Sequence, residues 1–336
     1  MSGLSIGDLA GAFVTRNNHT RIKSDMARLA AELTTGVTQN LRATTGGDLG
    51  ALAGLEHGLG ALQAYHVAAS EAALTAGALQ RVMETVQDTT TELAPALLLA
   101  SSSGQTTLVQ VAAADARSRF ASVVSVLNTQ VADRALLGGT ATDGPPLADS
   151  ETMLAALALV VAGETTAAGI EAAVEDWFDA PGGGFETTGY LGSDQALAPL
   201  RIGPNETAAM SLKADDPVLR DLMKSYAMAS LVADGVLSGD ETERAALLDA
   251  SSRRMLTVDK SLAEMRAGVG VIEAQIDGAT ARNTAESSAL ELARAELIAI
   301  DPYKAATDLT SVQTQLETLY ALTARLSRLS LVEYLR

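Results

Sequence analysis

Apolar residues recur in alternating steps of three and four along the last third of the chain: Met255, Val258, Leu262, Met265, Val269, Ile272, Ile276 and Ala279, then Leu290, Ala293, Leu297 and Ile300. Such alternation is the 3.5-residue period of a helix that lies against other helices. Only Asn283 and Glu286 interrupt the ladder. One helix through all of it would run roughly 70 Å at 1.5 Å per residue, which is too long for an ordinary globular core. Asp301-Pro302 punctuates the pattern, since Asp suits the N-cap and Pro the first helical position. A second ladder then follows with Leu309, Val312, Leu316, Leu319 and Leu326, Thr323 filling the vacant rung. At the opposite end Leu9 and Phe13 are four apart, and Ile22, Met26, Leu29 and Leu33 step by four, three and four. This predicts an amphipathic helix from about Ser5 to Thr35, stopped by Gly36.

Between these ends, Leu52, Leu55, Leu59 and Leu62 open a predicted helix reaching about Ala100, with Pro95 expected to kink it or end it a turn early. Ser101–Gly104 reads as a turn. Leu108, Val111, Phe120, Val124, Leu127 and Val131 then mark a returning, antiparallel helix. After Leu137 the texture changes to turn-forming clusters at Gly138-Gly139, Gly144-Pro145-Pro146, Pro181–Gly184 and Gly203-Pro204-Asn205. Short helices are predicted at 151–162 and 167–178, and strands at 198–202 and 208–212 around the Gly-Pro-Asn turn. Helix resumes at Asp216-Pro217 and again at Asp240, where Glu243 completes a capping box. The expected fold is mainly α: a long antiparallel helical bundle or coiled coil formed by the N- and C-terminal segments, with a small inserted α+β outer domain. Three parts are expected. Residues 1–40 with 301–336 form a terminal helical domain, 41–137 with 216–300 a helical rod, and 138–215 an inserted acidic domain.

Composition fits helices better than a catalytic pocket. Residues are 47% hydrophobic but only 3% aromatic, so the apolar mass is largely Ala, Leu and Val. The longest apolar run, Met153 to Ala162, is about half of what a bilayer crossing needs. No membrane insertion is expected, and the Met1-Ser2-Gly3-Leu4-Ser5 start lacks the pattern of a cleaved secretory signal. Cysteine is absent, which removes disulfides, thiol nucleophiles and cysteine-based metal sites. A formal charge of -17 argues against a nucleic-acid partner. That charge is concentrated in residues 139–250, with nineteen acids against five bases, whereas residues 1–40 and 301–336 are nearly neutral. Near-neutral ends suit burial among copies, and an acidic middle suits an outward, solvated surface.

Candidate chemistry is sparse. His57 and His66 are nine residues apart and therefore on opposite sides of a helix, so they cannot share one ion; His19 has no companion nearby. Gly268-Val269-Gly270 lies inside the ladder without the strand and third glycine of a nucleotide loop, and reads as a close helix contact or kink. Asp215-Asp216, Glu175-Asp176 and Asp179 lack the spacing of a calcium loop and read as capping or solvated carboxylates. Asp133-Arg134 reads as a surface pair, and Gly182–Gly184 as a flexible run. No catalytic, cofactor-binding or metal residues are assigned and no enzyme is expected.

Three stretches carry a resemblance: Glu32-Leu33-Thr34-Thr35-Gly36; Leu127-Asn128-Thr129 with Leu137-Gly138-Gly139-Thr140-Ala141-Thr142-Asp143-Gly144-Pro145-Pro146; and the tail Leu329-Ser330-Leu331-Val332-Glu333-Tyr334-Leu335. Glu291-Leu292-Ala293-Arg294-Ala295 adds to them. These resemble the flagellin superfamily and, within it, the hook-filament junction proteins (hook-associated protein 3 type), over roughly residues 1–146 and 186–336. Thr34 departs from the commoner Ser, and Ala135-Leu136-Leu137 replaces an aromatic-containing hairpin. The resemblance implies a structural subunit of the bacterial flagellum. It implies export through the flagellar type III apparatus to an extracellular location, terminal helices that order on assembly, and neighbours that are other copies, hook-associated protein and flagellin subunits, with an export chaperone beforehand. A filament flagellin is the alternative within this architecture, and a soluble coiled-coil scaffold unrelated to flagella is a second alternative. The expected assembly interface is Ile22, Met26, Leu29, Leu33, Leu309, Val312, Leu316, Leu319, Leu326, Leu329, Leu331 and Tyr334.

Overall fold

The structure is a computed structural model that describes residues 6–44 and 46–334; the side chains of 6–9, 12, 43, 326, 327 and 329–334 lie outside the described set. In chain order the elements are α1 (Ile6–Thr35), α2 (Leu41–Thr44), α3 (Gly50–Ser102), α4 (Thr106–Leu127), the two-residue strands β1 (Gln130–Val131) and β2 (Arg134–Ala135), α5 (Ser150–Val160) and α6 (Ala167–Asp179). A π-type turn at Phe185–Gly189 precedes β3 (Leu200–Gly203), β4 (Glu206–Ala208), α7 (Pro217–Ala233), α8 (Glu241–Ile298) and α9 (Pro302–Tyr334). The fold is thus mainly α, with two small antiparallel hairpins, β1-β2 and β3-β4.

Two compact units divide the chain: residues 1–62 with 284–336, and residues 63–283. Both divisions fall within a helix, α3 and α8 respectively. The ladder from Met255 to Ile300 lies almost wholly on α8, a single helix of 58 residues that closes at Ile298. Asn283 is buried in it and is not a break, because its side-chain amide donates to the Ile202 carbonyl of β3 at 2.7 Å.

In the second unit α3 and α8 run antiparallel, held by polar contacts one heptad apart. Gln80 donates to the Arg266 carbonyl at 2.9 Å, Gln87 to Asp259 at 3.2 Å, and Ser252 to the Ala94 carbonyl at 2.8 Å. Positions 80, 87 and 94 face 266, 259 and 252, the spacing that knobs-into-holes packing repeats. Between these layers Leu79, Met83, Val86, Leu93 and Leu97 of α3 and Met255, Val258, Leu262 and Val269 of α8 are all buried. Pro95 does not end α3. The carbonyl it leaves without a helical donor is that of Thr91, and both residues lie on the exposed face, where solvent replaces the missing N–H.

The returning helix α4 stops at Leu127, short of Val131, which sits in β1. Asn128 accounts for the stop: its side chain accepts from the Leu147 N–H and donates to the Leu147 carbonyl, both at 2.9 Å. The β1-β2 turn then uses Ala132 and Asp133 at φ 50° and 60°. Segment 138–215 shares its core with the long helices, since Leu147, Met153, Trp177, Phe178 and Phe185 belong to one buried cluster with Phe120, Tyr226 and Leu262. The glycine run at 182–184 is a packing device more than a flexible one: a Cβ on Gly184 would collide with the Trp177 indole, and Gly182 takes φ 69°. Helix starts follow the capping signals. Asp301 accepts from Tyr303 and Lys304, and Asp240 from Thr242 and Glu243, at 2.9–3.1 Å. Glu243 departs from the capping box, because its carboxylate instead accepts from the Ala167 N–H at the start of α6.

Candidate assembly interface

The first unit is built on α1 and α9. Gly36 closes α1 in the left-handed conformation, φ 73°, with its N–H on the Glu32 carbonyl at 2.8 Å. Two backbone hydrogen bonds then join the exit of α1 to the α8–α9 link: Thr38 N–H to Ile298 at 3.0 Å and Ile300 N–H to Gly36 at 3.1 Å. Glu32 is buried beside this joint. One carboxylate oxygen accepts from the Gln39 N–H at 2.8 Å and the other from Arg28 at 3.1 Å. The Glu32–Gly36 stretch is therefore a latch that fixes where α1 ends against the start of α9.

Further along, His19 Nε2 and the Tyr320 hydroxyl are hydrogen-bonded at 3.0 Å, with the rings edge to face at 5.4 Å. These two fixed points make α1 and α9 antiparallel. Because both helices rise equally per residue, Ile22, Met26 and Leu29 come level with Leu316, Val312 and Leu309. Ile22 and Leu29 are buried, as is Ala305, while Met26, Leu309, Val312, Leu316 and Leu319 are half-buried. Leu33 is exposed. The side chains of Leu326, Leu329, Leu331 and Tyr334 lie outside the described residues, although α9 runs through all four positions. The two ladders thus face each other along one seam, and a two-helix seam covers each rung from one side only.

What this seam leaves outward is a separate apolar set. Phe13 and Val14 of α1 are 64% and 56% exposed, and Tyr320 and Leu322 of α9 are 50% and 53% exposed. Tyr303, at the start of α9, is 83% exposed. Heptad stepping missed Val14, Tyr303 and Leu322 because they lie off the ladder. The available signal was adjacency, as Phe13-Val14 and Tyr320/Leu322 put apolar side chains on more of each helix surface than a single seam covers. An open cleft of about 610 Å³ also borders the seam, with Arg28, Glu32, Asp301 and Lys304 among its lining residues.

The carboxylates and histidines considered for chemistry are placed otherwise. Glu175 and Glu171 pair with Arg254, and Asp179 with the buried Lys224, which also meets Asp221 at 2.8 Å. Burial works against the Arg254 charge, but the Glu175 and Glu171 hydrogen bonds outweigh it and its pKa is raised. Asp215 pairs with Lys213 at 3.0 Å. Asp216 stands at the N-cap of α7, its pKa raised chiefly by burial. Arg134 reaches Glu71 at 3.4 Å and not its neighbour Asp133. His57 and His66 are exposed. Gly270 lies under the Gln80 amide at the α3–α8 contact, whereas Gly268 faces open space. Among the described residues no group of three His, Asp or Glu side chains is arranged to hold a metal ion, and no helix is long and apolar enough to cross a membrane.

Residues 257–335, which span most of α8 and all of α9, match the family model described as the bacterial flagellin C-terminal helical region. A solved structure also matches, that of a protein provisionally titled a flagellar hook-associated protein from Vibrio parahaemolyticus. It has a TM-score of 0.50 and 12% identity over 73% of this chain and 95% of that one. The family match is confined to these C-terminal helices. At that identity the structural match speaks for the fold alone. No curated protein matches the sequence. The matched region includes α9, the helix that pairs with α1, and so takes in the half-buried rungs Leu309, Val312, Leu316 and Leu319.

Proposed function

We propose that this flagellin-like chain is a structural subunit of the bacterial flagellum that joins hook to filament. On this reading it is non-enzymatic and works by packing its terminal helices among copies of itself and against hook-associated protein and flagellin neighbours. The observation that supports assembly is the incomplete burial of the α1–α9 seam together with exposed Phe13, Val14, Tyr303, Tyr320 and Leu322. Large apolar residues gathered on a terminal helix pair mark a surface that other protein covers. The Leu329–Leu335 ending favours the junction role over a filament subunit, since it is closer to the endings of junction proteins. Export in an unfolded state, with a chaperone holding the apolar tail, follows from the same reading, because such helices alone gain little from folding. Residues 138–215, strongly acidic, are proposed to form the outward surface.

An electron micrograph of cells lacking the protein tests this. Hooks without filaments, and flagellin shed into the medium, are the expected result; intact filaments contradict it. Purified protein that grows into long filaments by itself in precipitating salt assigns the chain to the filament instead. Removal of residues 301–336 is expected to abolish incorporation while the second unit keeps its own unfolding transition, read by circular dichroism.

A further inference from the structure

The second unit carries two apolar features that fit one another but cannot meet within one chain. The first is the tip where α3 turns into α4. From Leu93 to Ala114 the sequence has no charged residue, in a chain of net charge -17. On this tip Leu99 and Val111 are 67% and 62% exposed, with Leu98 and Leu108 also exposed. The register set by Arg119 on Glu92 and on the Thr89 carbonyl brings Leu98 level with Val111, so these side chains form one patch.

The second feature is a pocket of about 120 Å³ beside the β1-β2 hairpin, lined by Leu74, Val131, Leu136, Leu197, Leu200 and Met210. It is far smaller than the roughly 300–1,000 Å³ of a cofactor or drug-sized site. An apolar cavity of about 150 Å³ takes a benzene-sized group, so this pocket suits one aliphatic side chain. The charged residues among its lining, Glu71 and Arg134, pair with each other at 3.4 Å and leave the mouth electrically neutral.

Leu99 and Leu74 are separated by 25 residues of one helix, about 37 Å at the α-helical rise. A chain therefore cannot seat its own tip in its own pocket, whereas a second copy can. We propose that the α3–α4 tip of one copy inserts Leu99 into the hairpin pocket of the next. Made in one direction, this contact is heterologous and propagates along a row of subunits. The tip is uncharged and the pocket lining carries no net charge, so acidic copies can approach there with little repulsion. The proposal rests on the reading of the chain as a self-assembling subunit and adds the surfaces through which unit-two neighbours touch.

The chain has no cysteine, which makes single thiols unambiguous reporters. Full-length Leu99→Cys and Ala198→Cys, the latter at an exposed position on the pocket rim, are mixed at high protein concentration and treated with a short bis-maleimide. The expected result is a mixed cross-linked dimer at least about tenfold above either variant alone, the ratio that 1.4 kcal/mol of contact supports. Adding Leu99→Asp to a Leu108→Cys reporter should remove the cross-link to Ala198→Cys. Tip-to-tip cross-linking in Leu99→Cys alone, or no mixed cross-link at any concentration, overturns the proposal. The cell micrograph tests the junction role separately, so a normal flagellum beside a positive cross-link, or the reverse, shows which reading has failed.

Discussion

The α3–α8 seam and the α1–α9 seam are written in the same three-four apolar alphabet and end in different states. On α8, Met255, Leu262 and Ile276 are buried, and three successive heptads carry a polar contact that locks register. On α9, Leu309, Val312, Leu316 and Leu319 are half-buried, and the described fixed points are a backbone joint at one end and the His19–Tyr320 pair further along. The difference lies in the number of neighbours. Helices α4 and α7 supply further apolar side chains to the second unit's core, whereas α1 and α9 have chiefly each other. Periodicity shows that a helix face needs a partner; it does not show how much of that need one chain meets.

The comparison breaks most directly at a matched pair of substitutions. Leu262→Ala should lower the stability of the second unit by about 2–5 kcal/mol, the usual cost of a cavity in a closed core. Leu316→Ala should cost the isolated chain about 1 kcal/mol or less, because a half-buried side chain loses less transfer energy. Denaturant midpoints measure both. Equal losses would mean that the two seams are equally complete.

A smaller effect comes from the second unit's polar core. Burial pushes the Tyr226 hydroxyl up to about 12, against the opposing influence of its Thr90 hydrogen bond at 3.2 Å. The folded-state pKa lies above the unfolded value near 10. The neutral phenol's contribution to stability is therefore present in full below about pH 10 and is lost as pH rises through about 12. Melting temperature followed from pH 9 to 12 should show this alkaline loss, and Tyr226→Phe should remove that component. An unchanged alkaline slope in the variant would assign the loss elsewhere. Smaller again, Ser252→Ala removes the side-chain donor at the Ala94 carbonyl and should cost about 1 kcal/mol. A null result would place register control in the two glutamine contacts.

Much of the architecture was legible because it follows from short-range rules. Asp301, Asp240 and Gly36 stand where capping chemistry demands, and the Gly-Pro-Asn turn joins β3 to β4. Long-range partnership was harder to read. Gln80, Gln87 and Ser252 look like solvent-face residues until the opposing helix is in place, and Asn283 looks like a break until β3 supplies a carbonyl. Clustered glycines and prolines after Leu137 marked a change in local structure, yet the apolar residues there join the core of the neighbouring helices. Of the candidate interface, spacing placed Ile22, Met26, Leu29, Leu309, Val312, Leu316 and Leu319 on the α1–α9 seam. The exposure of Val14, Tyr303 and Leu322 was not legible, since off-ladder residues have no period to mark them.

The central claim is that the α1–α9 pair is incomplete in one chain and is finished by other copies. Amide hydrogen exchange across residues 6–35 and 302–334, compared between the isolated chain and the assembled appendage, tests it most directly. The account predicts rapid exchange of these helices in the isolated chain beside a well-protected α8 in the second unit, and strong slowing on assembly. Terminal helices as protected in the lone chain as Met255–Ile276 would contradict it.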